Sequence, residues 1–424
     1  MEKEKMRKEE RAITLVALVV TIVILLILAG VSLNLVIGNE GILKRSKEAA
    51  DKYGKKAENE QQGLTDVDDW MDEQFGGAGM QKVMVNTKAK KNGTINGQEP
   101  NTNNPLIPKG YTPIDAGDAK WGDGSSSPAQ SSVDNGLVIK DDSNNEWVWI
   151  PVEASTFSSM YVTSNDGIAL SGDVGVATNL YTKSTTIGKT GDTYTLSRST
   201  PNTASFREPD LVVDYDKNES YYKTILGFDT PKAMAESFTT DYENMIASIQ
   251  KYGGFYIGRY ELSNEGVQKG KATLTNTNWY NLYKKCTTLN ASEKVESKMI
   301  WGIQWDLACD FISKKGEQKS ITNSTAWGNY KDSTGNAAVM DGETKKYGSK
   351  QVTGFSEYWK ANNIYDLVGN CWEWTREGNN TIFRAIRGGC CYSNGSSSPA
   401  SYRGGSNTNY SGDNCGSRPT LIIK

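Results

Sequence analysis

Apolar and polar positions fall into three regimes along this chain. The first is an uncharged run from Ile13 to Ile37, set between a charged leader at 1–12 and a charged, helix-favouring stretch continuing to Phe75. Its only hydrogen-bonding side chains are Thr14, Thr21, Ser32 and Asn34. At about 1.5 Å per residue, a helix over this run exceeds a hydrocarbon core of about 30 Å, which predicts a membrane span at 13–37 and one long helix over 13–75. The second regime, 76–103, is rich in Gly, Asn, Lys and Thr and poor in apolar positions, the pattern of a flexible linker. The third, 104–424, reads as the folded body. A hairpin is expected from Gly136–Lys140 and Glu146–Val152, with Trp147 and Trp149 on one face and Val148 and Ile150 on the other, so that both faces are buried. A helix is expected near Ala233–Lys251, a strand over Gly253–Glu261 and a helix over Ser297–Ile312, whose apolar positions recur at helical spacing. Residues 115–135 and 313–357 read as polar loops. The apolar run from Arg418 to Lys424 could form a core strand, and no internal repeat is visible.

Composition singles out the end of the chain. The 26 residues from Cys390 to Cys415 hold seven Ser, four Asn, four Gly, three Tyr and three Cys, with no Val, Ile, Leu, Lys or Glu. Tyr gives rigid amphipathic contact area, while Ser, Gly and Asn give adaptable hydrogen bonding, so the segment has the composition of a recognition surface or of a polar loop. Charge changes the picture little. The net value of −3 supplies no basic field for nucleic acid. The absence of histidine excludes Ser-His-Asp and Cys-His catalysis and imidazole metal sites. The six cysteines include no CxxC pair, and an even count permits disulfides if the body lies outside the cell.

Two resemblances add to this reading. Ala12–Val20 and the helix that follows resemble a type IV prepilin N-terminus, which implies cleavage between Ala12 and Ile13 and pilin-like partner subunits. The chain departs from that pattern in carrying Ala12 in place of the usual Gly, and Ala17 in place of the usual Glu. The second resemblance covers blocks of 104–424. Trp149–Val152, Gly254–Glu261, the helix to Ile312, Asn363–Thr375, Arg387–Gly389 and Arg418-Pro occur in the order seen in the formylglycine-generating enzyme, or sulfatase-modifying factor, family. That resemblance implies an α+β, C-type-lectin-like domain behind the long pilin-like helix. In the family two cysteines bind copper and oxidise a substrate cysteine. The matching positions here are Ser393 and Ser398, which cannot act as copper thiolates, and Cys390 and Cys391 are adjacent and out of register. The resemblance also implies a Ca²⁺ site from the side chains of Asp366 and Glu373 and the carbonyls of Gly369 and Cys371, hard oxygen donors of the kind calcium takes. Trp372 and Trp374 are assigned to core packing.

Within the same fold, the segment resembles the variable proteins of diversity-generating retroelements, whose C-terminal segments are mutagenised at adenines to codons for Asn, Tyr, Ser, Asp, Gly, Cys or Thr. Three readings follow. The first is a non-catalytic, surface-displayed binder of a protein or glycan on another cell or a phage. Its contacts would come from Cys390, Cys391, Tyr392, Ser393, Asn394, Ser397, Tyr402, Ser406, Asn407, Asn409, Tyr410, Asp413 and Asn414. The second is a copper oxidase using Cys390 or Cys391, and the third a minor pilin with a structural C-terminal domain.

Overall fold

The computed structural model describes residues 21–25, 80–153, 215–289, 295–346, 348–379 and 383–424, with strand pieces at 161–162, 181–182, 185–190, 193–198 and 206–207. The chain divides into two units, Met1–Ala78 and Gly79–Lys424. In the first, residues 21–25 are helical and exposed, whereas the leader, Ala12, Ile13 and the remainder of the expected span and helix lie outside the described residues. Among the described residues, no helix is long and apolar enough to cross a membrane.

The second unit is α+β. In chain order it contains β1 (Thr112–Ile114), β2 (Val138–Lys140), β3 (Glu146–Pro151), α1 (Pro231–Tyr252), β4 (Gly254–Gly258), α2 (Trp279–Thr287), β5 (Val295–Met299), α3 (Gly302–Lys314), β6 (Trp372–Asn379), β7 (Phe383–Arg387), β8 (Arg403–Asn407), β9 (Cys415–Ser417) and β10 (Pro419–Ile423), with shorter pieces between. Six strands form an antiparallel sheet in the order β5-β10-β4-β3-β2-β1. The apolar C-terminal run thus becomes an interior strand, buried along its whole length. Alternation then sorts the side chains. Val148, Ile150, Phe255, Ile257 and Ile422 join a core with Phe238 of α1, Trp279 of α2 and Trp305 of α3. Trp147, Trp149, Tyr256 and Leu421 face a second core.

The partner of that second face corrects the expected linker. Val83, Ala89 and Ile95 are buried together with Leu106, Ile107 and Trp121, so the folded unit begins well before residue 104. Sparse apolar residues suffice here because they close over tryptophans already held by the sheet, and Gln81–Lys82 pairs with Gly93–Thr94. The 115–135 loop is likewise fastened, with the Trp121 Nε1–H donating to the Val138 carbonyl at 2.8 Å and a short helix at Gln130–Asp134. The predicted helix over 297–312 is instead a strand, β5, followed by α3. Val295, Ser297 and Met299 alternate inward along β5, a period-2 pattern that overrides the helical spacing until Ile300. Other elements match expectation closely, including the hairpin β2–β3 and helix α1.

The second sheet brings β6, β7 and β8 together antiparallel, with β9 parallel to β6 and the strand piece Phe206–Arg207 at the far edge. Beneath it lies a dehydrated ion network. Arg387 meets Asp306 at 2.8 Å and Glu377 at 3.5 Å, while Arg403 binds Glu377 at 3.1 Å and also Asp306, all with side chains at most 5% exposed. Buried guanidinium groups survive only when paired in this way.

Candidate functional site

The 390–415 segment leaves β7 through Gly388 and Gly389, both left-handed at φ 81° and 74°. A side chain at 389 would sit 2.5 Å from the Tyr330 ring, so the turn needs glycine on both counts. From there the path is held by its main chain. The Lys331 N–H donates to the Ser393 carbonyl at 3.1 Å, and the Ser324 N–H to that of Gly395 at 2.9 Å. Asp332 accepts the Gly395 N–H at 2.7 Å. Tyr330 Oη–H donates to the Ser398 carbonyl, and Trp305 Nε1–H to that of Ala400, both at 2.8 Å. Further along, the Trp279 and Asn276 N–H groups donate to the carbonyls of Thr408 and Gly412, at 3.1 and 2.9 Å. Lys350 Nζ donates to the Asp413 carbonyl at 2.6 Å, and the Trp372 N–H to that of Asn414 at 2.8 Å. These bonds use groups that every residue type except proline retains on substitution.

The side chains are placed differently from one another. Tyr392, Ser397, Asn407, Asn409, Tyr410 and Asp413 are exposed, while Ser393, Asn394, Tyr402, Ser406 and Asn414 are half-buried. Tyr392 and Tyr410 are 43% and 44% exposed, with hydroxyls donating to Asp413 at 3.3 Å and Asn414 at 3.1 Å, so two rings and a carboxylate share one patch. Cys390 and Cys391 are buried and so lie under this surface instead of on it. Sequence reasoning missed the exposed Ser396, Gly405 and Ser411, and the pins Lys350, Asp332 and Tyr330. No sequence signal marks the pins, because their role depends on a loop that is distant along the chain. Trp374 is buried as expected. Trp372 is only half-buried, its ring 5.9 Å from that of Tyr402, and borders the patch.

The residues expected to hold calcium are committed elsewhere. Both Glu373 oxygens are taken by Arg418, at 3.0 and 3.1 Å from Nε and 2.6 Å from Nη2, with no exposure on either side chain. Arg418 also donates to the carbonyls of Gly258 and Tyr365, each at 2.8 Å. Asp366 is buried and accepts the Gly354 N–H through Oδ2 at 2.6 Å, leaving Oδ1 without a partner. Among the described residues, no group of three acidic or cysteine side chains is placed to hold a metal ion. A calcium shell built on Glu373 therefore does not fit. The adjoining carboxylate, Glu261, accepts from the Cys371 N–H at 3.0 Å, Asn370 Nδ2–H at 2.6 Å and the Thr273 hydroxyl. Burial, with Asp366 and Glu373 nearby, pushes the Glu261 carboxyl well up. Burial raises Asp366 to about 7.

All six cysteines are free and buried. Burial pushes the Cys391 and Cys415 thiols up to about 12, so both stay protonated at neutral pH and are not soft thiolate ligands as they stand. Cys390 Sγ lies 3.4 Å from Ser393 Oγ.

No protein-family model matches the chain, and no curated protein sequence matches it. Among the solved structures that overlap part of the fold are two at 12% identity. One is Treponema denticola variable protein 1, with a TM-score of 0.27 over 40% of this chain and 85% of that one. The other is CarF, with a TM-score of 0.26 over 40% of this chain and 87% of that one. The likeness is weak, and no function is transferred from it.

Proposed function

We propose that this chain is a non-catalytic, surface-displayed binding protein whose residues 390–415 form a diversified recognition surface on a C-type-lectin-like scaffold. The observation that carries this reading is the division of labour within the segment. Its path is fixed by main-chain bonds to residues outside it, while its exposed side chains bear little of the packing. A segment built in this way tolerates substitution at the exposed positions without losing its shape, which is what diversification requires. Tyr392, Tyr410 and half-buried Tyr402 supply contact area, and Asn394, Asn407, Asn409, Asp413 and Asn414 supply polar selectivity for a protein or glycan on another cell or phage. Residues 13–37 would hold the chain in a membrane with the domain outside, with or without pilin-like neighbours.

Sequencing the gene with its surroundings tests the reading. The expected result is a reverse transcriptase nearby and a template copy that differs from codons 390–415 at adenines. A segment invariant among sibling strains would overturn it. Against the oxidase alternative, Ser393 and Ser398 stand at the positions that the resemblance assigns to the copper cysteines, and burial holds the Cys391 thiol protonated.

A further inference from the structure

The second sheet ends on β8, which lies within the proposed recognition segment and pairs on one side with β7. Which of its groups face outward can be worked out. The Trp372 N–H bonds to the Asn414 carbonyl, so the main-chain groups of Trp372 and Trp374 point towards β9 and those of Glu373 towards β7. Glu373 lies opposite Arg387, whose main-chain groups, and those of Ala385, must therefore point back at β6. The Ala385 carbonyl agrees, since it accepts the Thr375 hydroxyl of β6 at 3.2 Å. Ladder bonds between β7 and β8 then fall on the pairs Ile386–Gly404 and Arg384–Ser406. The N–H and carbonyl of Gly405 face away from the sheet, and among the described residues they meet no partner.

Among the described residues, this edge lacks the protection that β5, β1 and Phe206–Arg207 carry. The edge strand β5 presents Glu296 and Lys298, paired with each other at 2.9 Å. The edge strand β1 has Pro113 at its centre, and Phe206–Arg207 is two residues long. Strands guarded by charge, proline or brevity resist pairing with other chains. On β8 the one charged side chain, Arg403, is turned inward to Asp306 and Glu377, leaving Gly-Gly-Ser-Asn, neutral and with no side chain at its midpoint.

We infer that the outer edge of β8, centred on Gly405, captures an extended strand of a protein partner by antiparallel main-chain pairing. This rests on the proposed recognition role and narrows it to a polypeptide ligand. Main-chain pairing does not depend on the side chains at 404–407, so it supplies constant affinity, while exposed Asn407, Asn409 and Tyr410 next to it select among partners.

The probe is an acetylated, amidated ten-residue peptide of alternating Thr and Val with terminal lysines, made plain and as two forms N-methylated at alternate amides in opposite registers. Hydrogen exchange over 403–407 of the full chain is followed by mass spectrometry at millimolar peptide. The expected result is exchange slowed about threefold or more by the plain peptide and by one methylated form only, and no slowing in Gly405→Pro. No slowing at all, or equal slowing by both methylated forms, would overturn the inference, as would slowing retained in Gly405→Pro. The methylated pair decides the matter on the unmodified protein even if that variant misfolds. Register-specific capture by a chain whose segment proves invariant would keep the edge and remove the diversification reading.

Discussion

Replacing Asp366 by Asn should stabilise this protein above neutral pH and leave it no better off in acid. Asp366 is fully buried, its Oδ1 has no partner, and its backbone is left-handed at φ 54°, a conformation that Asn tolerates. The groups facing it are Glu261, Glu373, Arg418, Lys269 and the Gly354 N–H. Burial lifts the carboxyl from an ordinary 3.8 to about 7, so the folded protein holds this proton more tightly than the unfolded chain does. The associated stability is therefore complete below about pH 4 and is lost as pH rises through 7. At about 1.4 kcal/mol per tenfold, the ceiling is about 4 kcal/mol at pH 8. The amide removes that loss but buries an NH₂ where Oδ1 stood, at a cost of about 1–3 kcal/mol. The net gain at pH 8 is then about 1–3 kcal/mol, with little or negative change at pH 4. The assay is a series of melting curves from pH 4 to 8 on both proteins, with and without chelator. A variant profile parallel to wild type would refute the account of Asp366. A chelator-sensitive wild-type melting temperature would refute the assignment of Glu373 to Arg418 in place of a cation.

Three further outcomes are expected. Arg418→Met leaves the Glu373 carboxylate buried and unpaired and should cost about 3–5 kcal/mol in denaturant unfolding, much of it recovered in the double variant with Glu373→Leu. Gly369→Ala, at φ 73° with a Cβ 2.4 Å from the Asn329 carbonyl, should lose at least about 2 kcal/mol, seen as a fall in melting temperature. Tyr392→Ala and Tyr410→Ala together should change stability by less than about 1 kcal/mol by the same measure, because both rings are more than two-fifths exposed.

Much of the framework could be read from side-chain order alone. The alternation Trp147, Val148, Trp149, Ile150 announced a strand buried on both faces, and each pair entered its own core. The Ser/Asn/Tyr/Gly composition of 390–415 marked the surface segment, and most of its polar side chains are exposed or only partly buried. Other features escaped because their physics is not local. Residues 80–103 lacked apolar density, yet Val83, Ala89 and Ile95 closed over a tryptophan face. Glu373 carried the residue type of a calcium ligand, but 45 positions away Arg418 occupies both its oxygens.

What the sequence determined by itself is therefore the periodicity of strands and helices, the absence of histidine chemistry, and the unusual composition near the C-terminus. These follow from residue identities and their neighbours. Only the tertiary structure decided which carboxylates are already paired, that Cys390 and Cys391 lie beneath the surface, and that Gly405 turns its amide outward at a sheet edge. Each of those depends on strands distant in the chain meeting in one register, and hydrogen-bond direction in a sheet alternates with every residue of that register.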